Sequence, residues 1–134
     1  MIIFEQSLTA RGEDIDELDH VNNAVWVRWI ELVATAHWHA SADPAHVDRY
    51  AWMINRHEID YLRGLRLNET VIARTWIADP PKGARCDRHM EFVDRAGSVH
   101  VRSKTTWVLV DRTTQRPLRV PVAVIAPFLV ADIT

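Results

Sequence analysis

Within Asp14-Ile15-Asp16-Glu17-Leu18-Asp19-His20-Val21-Asn22-Asn23 the chain gathers acids, an imidazole and two amides, immediately ahead of its longest helical pattern. Groups of these types move protons or donate hydrogen bonds. Capping accounts for part of the cluster, since Asp19, Asn22 or Asn23 can accept from the free backbone N–H groups of a helix start. That occupies one residue or two. It leaves Asp14, Asp16 and Asp19 within six positions, where mutual repulsion is unfavourable and raises a carboxyl pKa. A helix start aims backbone N–H groups at a developing anion, and an acid just upstream can act beside it as base or nucleophile. The pair suits acyl transfer, in which a tetrahedral oxyanion forms next to the attacked carbon.

Other chemistries fit the residues poorly. A calcium loop opening at Asp14 needs glycine at its sixth position and glutamate at its twelfth, and Asp19 and Val25 stand there. His37 and His39 fall ~200° apart on a helix, and no His-Glu-x-x-His occurs, so no metal is expected. There is no Gly-x-Ser-x-Gly and no Gly-rich phosphate loop, and no cofactor is implied. Lys82, Arg85 and Arg88 could grip phosphates or form a solvated strand end. Cys86, the one cysteine, lies in a strand pattern and reads as a buried, inert thiol.

The elements that must position the acidic segment follow from periodicity. Ile2 to Thr9 alternates as a half-buried strand, and Arg11-Gly12 turns the chain into the segment. From about Ala24 to Ala40, Arg28, Glu31, Thr35 and His39 form one narrow polar stripe; Val25, Trp26, Trp29, Ile30, Leu32, Val33 and Ala36 cover most of the remaining circumference. Such a helix is expected to be buried on most of its sides. At ~1.5 Å per residue it spans ~25 Å, the width of a curved five- or six-stranded sheet. Pro44 ends it, and a short helical turn before Tyr50 fits the connection. Strands are expected over Trp52–Leu62, Thr70–Ala78, Arg85–Val93 and Ser98–Val110. Arg63-Gly64, Asp79 to Gly83 and Asp94 to Gly97 turn between them. After the turn at Asp111–Arg116, Val122–Ile125 reads as an edge strand or a docked tail. One helix against consecutive antiparallel strands gives a two-layer α+β domain over residues 1–134.

The bulk numbers agree with that size and class. The 134 residues are 48% hydrophobic and 25% charged, with net charge −2 and mixed sign, which gives no footprint for nucleic acid or a membrane surface. Six tryptophans point to a wide apolar interior or pocket. Met1-Ile2-Ile3-Phe4-Glu5 reaches an acid too soon for a signal peptide, and no apolar run approaches spanning length, so a cytoplasmic location is expected.

The run from Asp14 to Glu31, Asp-Ile-Asp-x-x-x-His-Val-Asn-Asn-x-x-(aromatic)-x-x-(aromatic)-x-Glu, resembles the active-site segment of hotdog-fold thioesterases. It is similar both to the 4-hydroxybenzoyl-CoA thioesterase-like group and to the plant acyl-ACP thioesterases, whose His-Val-Asn-Asn wording it shares. Arg56-His57-Glu58-Ile59-Asp60-Tyr61-Leu62-Arg63 resembles the second strand of the same family. The resemblance implies a hotdog fold, an antiparallel sheet of five to six strands around one long central helix. It implies hydrolysis of acyl-CoA or acyl-carrier-protein thioesters, and a homodimer or homotetramer with sheets joined edge to edge and the site between protomers. Asp16 falls on the family's catalytic carboxylate, Asn23 on the helix-start amide that polarises the carbonyl, and His20 on the histidine of the plant-type site. Trp26, Trp29 and Trp52 are expected beside the acyl chain, and Arg85 and Arg88 at the substrate. The sequence departs at Leu18, where the plant enzymes have asparagine. Their cysteine lies in a second hotdog half that is absent here, so Cys86 inherits no role. A hydratase would need Gly-Asp-x-Asn-x-x-His, which does not occur. A non-catalytic acyl-thioester binding module is the remaining rival.

Overall fold

The computed structural model describes residues 2–129; the outermost residues of the domain expected over 1–134 lie outside that range. Strands β1 (Phe4–Thr9), β2 (Tyr50–Tyr61), β3 (Thr70–Trp76), β4 (Arg85–Val93) and β5 (Val99–Asp111) form one sheet in the order β1-β3-β4-β5-β2, every neighbouring pair antiparallel. Helix α1 (Asn23–Ser41) lies across its inner face and α2 (Pro44–Arg49) leads into β2. The sheet has five strands, the lower of the two numbers expected. Val122–Ile125 is a helical turn, α3, and not an edge strand. The residues after it dock, with Phe128 buried and stacked on Trp38 at 5.8 Å between centroids. Pro121 just before this turn cannot donate to a ladder, whereas it can open a helix.

Helix α1 begins where Asn22 turns extended and its Oδ1 accepts the Ala24 N–H at 2.8 Å, an N-cap of the preferred type. It ends at Ala42, and Asp43 with Pro44 then caps and opens α2. The buried residues of α1 come in pairs four apart: Val25 and Trp26, Trp29 and Ile30, Val33 and Ala34, His37 and Trp38. That is a broad stripe on one side, narrower than the near-complete burial expected, because Leu32 remains 44% exposed. One sheet covers one side of a helix.

Two apolar clusters lie beneath α1. The first centres on Trp26, Trp29 and Phe92, with edge-to-face contacts of 5.2 Å (Trp26–Trp29) and 5.1 Å (Trp26–Phe92). The second holds Trp38, Leu109, Ile125 and Phe128, with Trp52 against it. Between them a polar row crosses the sheet: Thr75 on β3, Arg88 on β4, Thr105 on β5 and His57 on β2. His57 Nδ1 and Thr105 Oγ1 are 2.8 Å apart, and Arg88 Nη1 donates to Thr75 Oγ1 at 3.1 Å.

A bulge at Asn55 changes which β2 residues face the helix. Ile54 pairs with Trp107, yet Arg56 pairs with Thr106. The extra residue switches the parity of the alternation. Trp52 and Ile54 face inward before it; His57, Ile59 and Tyr61 face inward after it, opposite Thr105, Ser103 and Val101. One strand therefore supplies inward aromatics at both ends of α1.

Candidate active site

The acidic segment is held as a closed loop. Ile15 bridges Val21, Asp16 N–H donates to the His20 carbonyl at 2.9 Å, and Asn22 N–H donates to the Asp14 carbonyl at 2.9 Å. The left-handed backbone of Asp19 (φ 63) makes the tight return; aspartate is among the few residues that tolerate it. Val21 N–H donates to the Leu65 carbonyl at 2.8 Å, tying the loop to the chain just beyond β2. Asp14 is buried and structural: its Oδ2 accepts the Arg11 N–H at 2.8 Å and closes the turn that enters the loop.

Asp16 is half-buried. Its Oδ1 accepts the Leu18 N–H at 2.9 Å, which fixes the side chain, while its other oxygen has no partner among the described residues. At the helix start, Ala24 N–H is taken by the Asn22 side chain and Val25 N–H by the Asn22 carbonyl. The Asn23 N–H has no acceptor among the described residues. The first amide of α1 is thus the free one.

Asp16, His20, Asn23 and Trp26 line one hollow of about 230 Å³, together with Leu18, Val21 and Tyr61 to Gly64. Four of the residues expected from sequence share this space. Tyr61, Leu62, Arg63 and Gly64 were not expected there. Their signal was the strand pattern ending in Tyr61-Leu62-Arg63-Gly64, which marks a turn without saying that the turn borders the acidic loop. Gly64 is needed for the fit, because a Cβ there would lie 2.8 Å from His20 Cγ and Cδ2. Only a residue without a side chain lets the imidazole lie against this backbone.

The other expected site residues are elsewhere. Trp29 is buried in the first cluster against Trp26 and Phe92, away from the hollow. Trp52 and Arg88 line a second cavity, of about 190 Å³, under the C-terminal half of α1. Arg85 is exposed, and it stands on the opposite face of β4 from Arg88, so the two cannot hold one phosphate between them. Cys86 is buried at the second cavity, and burial pushes its thiol up to about 12, so it stays protonated at neutral pH. Among the described residues no group of three or more His, Cys, Asp or Glu side chains is placed to hold a metal, and no helix is long and apolar enough to cross a membrane.

The chain and its fold have counterparts among known proteins. Residues 10–128 match the family model described as the thioesterase-like superfamily. No curated protein matches the sequence significantly. Among solved structures, a hypothetical protein from Staphylococcus aureus in complex with CoA superposes with TM-score 0.84 at 16% identity, over 94% of this chain and 81% of its own. A predicted thioesterase from Bacillus stearothermophilus gives 0.83 at 20% identity, over 95% and 94%. The 12:0-ACP thioesterase from Umbellularia californica gives 0.80 at 15% identity, over 97% of this chain and 55% of that one. These likenesses show a common fold, the hotdog fold.

Proposed function

The chain belongs to the thioesterase-like superfamily, and from that premise we propose that it hydrolyses acyl-CoA thioesters to the free acid and CoA, in the cytoplasm. One observation carries the reading: Asp16, with one carboxylate oxygen unbonded, and Asn23, with its N–H unbonded among the described residues, line the same hollow. Asp16 takes a proton from water as the oxygen attacks the thioester carbon, or attacks that carbon itself. The carbonyl oxygen becomes an oxyanion and accepts from the Asn23 N–H. Collapse breaks the carbon–sulfur bond. In the first route the departing thiolate takes up the proton held by Asp16. In the second it leaves a mixed anhydride on Asp16, which water hydrolyses to the free acid while its proton goes to the thiolate. His20, steadied on Gly64, orients Asp16 or the water. A CoA complex among the similar structures supports CoA as the carrier, and the 12:0-ACP thioesterase makes acyl carrier protein the alternative.

The active species in this proposal is a homodimer, or a pair of such dimers, built by antiparallel pairing of two β2 edges. β2 is an outer strand of the sheet and carries Met53 (57% exposed) and Tyr61 (43% exposed). Exposed, unpaired edges are open to strand addition. Since β2 runs from the second cavity to the hollow, this pairing sets the hollow of one copy beside the cavity of the other.

The test is Asp16→Asn in a thiol-release assay across a panel of acyl-CoA and acyl-carrier-protein substrates. The asparagine Oδ1 still accepts from Leu18 N–H, so the melting temperature stays nearly unchanged. Loss of the base should cost ~10²–10⁴ in kcat. Unimpaired turnover removes Asp16 from the mechanism. Silence of the wild type across the panel, with measurable binding, makes the protein a binding module.

A further inference from the structure

Arg88 is the one charged residue on the inner face of β4, among Cys86, Met90 and Phe92, and it is 7% exposed. A buried guanidinium is costly without a counter-charge. Here Nη1 donates to two neutral acceptors, His37 Nδ1 at 2.9 Å and Thr75 Oγ1 at 3.1 Å. Because arginine only donates, His37 must accept through Nδ1 and is uncharged, and burial with the neighbouring Arg88 pushes it down to about 4. Among the described residues no carboxylate lies within ion-pair distance of Arg88, and its Nη2 and Nε have no acceptor. Burial draws Arg88 down to about 10, so it remains a cation at neutral pH.

The rest of the cavity offers donors as well. Trp107, in its wall, has an enclosed indole N–H with no acceptor among the described residues. Arg112 adds a second cation whose Nε is bound to the Val47 and Tyr50 carbonyls. The Cys86 thiol is protonated, and no Asp or Glu lines the space. Helix α1 adds Thr35 and His39 to the lining, and the rest of the wall is apolar, chiefly Trp38, Trp52 and Phe128. None of the Asp or Glu side chains among the described residues is placed here.

We propose that this cavity binds a carboxylate at the far end of the substrate's acyl group, with the planar fork of Arg88 paired to its two oxygens and the apolar body of the acyl group against the tryptophans. Fork-to-carboxylate pairing is the strong geometry for arginine. A cavity of about 190 Å³ takes a ring or short chain with one such group, given that ~150 Å³ holds benzene. The cavity lies ~22 Å along α1 from Asn23, too far for a short acyl group bound in the hollow of the same copy. The neighbouring copy's hollow supplies the thioester, so the substrate assignment rests on the thioesterase reading and the β2-paired dimer.

Binding and turnover test it separately. Titration of the intact protein with benzoate and with benzamide, followed by tryptophan fluorescence, should show benzoate binding at least ~10-fold tighter. Arg88→Met should abolish that preference, and Arg88→Lys, which keeps the charge but not the fork, should retain part of it. Equal binding of the two probes by the wild type, or a preference that survives in Arg88→Met, overturns the proposal; the wild-type comparison decides even if Arg88→Met does not fold. In thiol release, acyl-CoAs ending in a carboxylate should exceed their methyl esters in kcat/KM, with the ratio falling at least tenfold in Arg88→Met. Hydrolysis without that discrimination overturns the carboxylate subsite alone. Absence of any hydrolysis, with benzoate preferred, overturns the thioesterase reading and leaves the cavity's anion preference standing.

Discussion

Gly64→Ala tests whether the position of His20 matters to catalysis. The backbone of Gly64 lies outside the left-handed region, and the atoms nearest to an alanine Cβ there are all in the imidazole, at 2.8 Å for Cγ and Cδ2 and 3.0 Å for Nδ1. Ordinary carbon–carbon contact is ~3.5 Å, so the ring must retreat by roughly 0.7 Å. His20 is half-buried at the rim of the hollow and can move outward. The stability cost should stay below ~1 kcal/mol, less than the ~1–3 kcal/mol of overpacking a closed core. Catalysis is less forgiving, since a displacement of ~1 Å in a positioned group can cost ~10²-fold. The expected fall in kcat/KM is ~10–100-fold, or ~1.4–2.7 kcal/mol of transition-state stabilisation, at nearly constant melting temperature. The assay is thiol release in a double-mutant cycle with His20→Ala. If Gly64 acts through the imidazole, alanine at 64 should change little once the ring is gone. Wild-type kcat/KM in Gly64→Ala, or an equal loss in both backgrounds, would show that Gly64 does not act through His20.

Acid should weaken the fold in a window set by His37. Its folded pKa of about 4 lies below the ordinary 6.5, so the unfolded chain binds one more proton between those values. Stability is fully present above pH 6.5 and falls by ~1.4 kcal/mol per pH unit toward pH 4, ~3 kcal/mol in all. Asp94, held low chiefly by its hydrogen bond with His100, keeps its stabilising contribution throughout that window and loses it only at lower pH. Urea unfolding from pH 7 to 4.5 checks this; His37→Gln, which keeps an acceptor for Arg88 but does not titrate, should flatten the slope, and an unchanged slope contradicts the assignment. Sedimentation of the wild type should show a dimer or a tetramer, and a fully active monomer would contradict the β2-paired site.

The sequence alone determined what local pattern can determine. A 3.6-residue period, with candidate caps at Asp19, Asn22 or Asn23 before it and Pro44 after it, marks α1 and its ends, and alternation marks five strands, because both signals depend on neighbours a few residues apart. The density of acids, His20 and two asparagines before α1 marked the loop, and Asp16, His20, Asn23 and Trp26 do meet in one hollow. Three things needed the folded chain. The bulge at Asn55 is invisible in a run of alternating residues, yet it decides that Tyr61 turns inward at the hollow while Trp52 turns inward at the other end of α1. The contact of Gly64 with His20 joins residues distant in sequence through the Val21–Leu65 bond. Arg88 read as a substrate-side phosphate grip or a strand-end cation, and its burial, with no acid beside it among the described residues, follows from which face of β4 meets the helix. Periodicity assigns a residue to a face; the charges across from that face come from other strands, and only their pairing brings them together or leaves them apart.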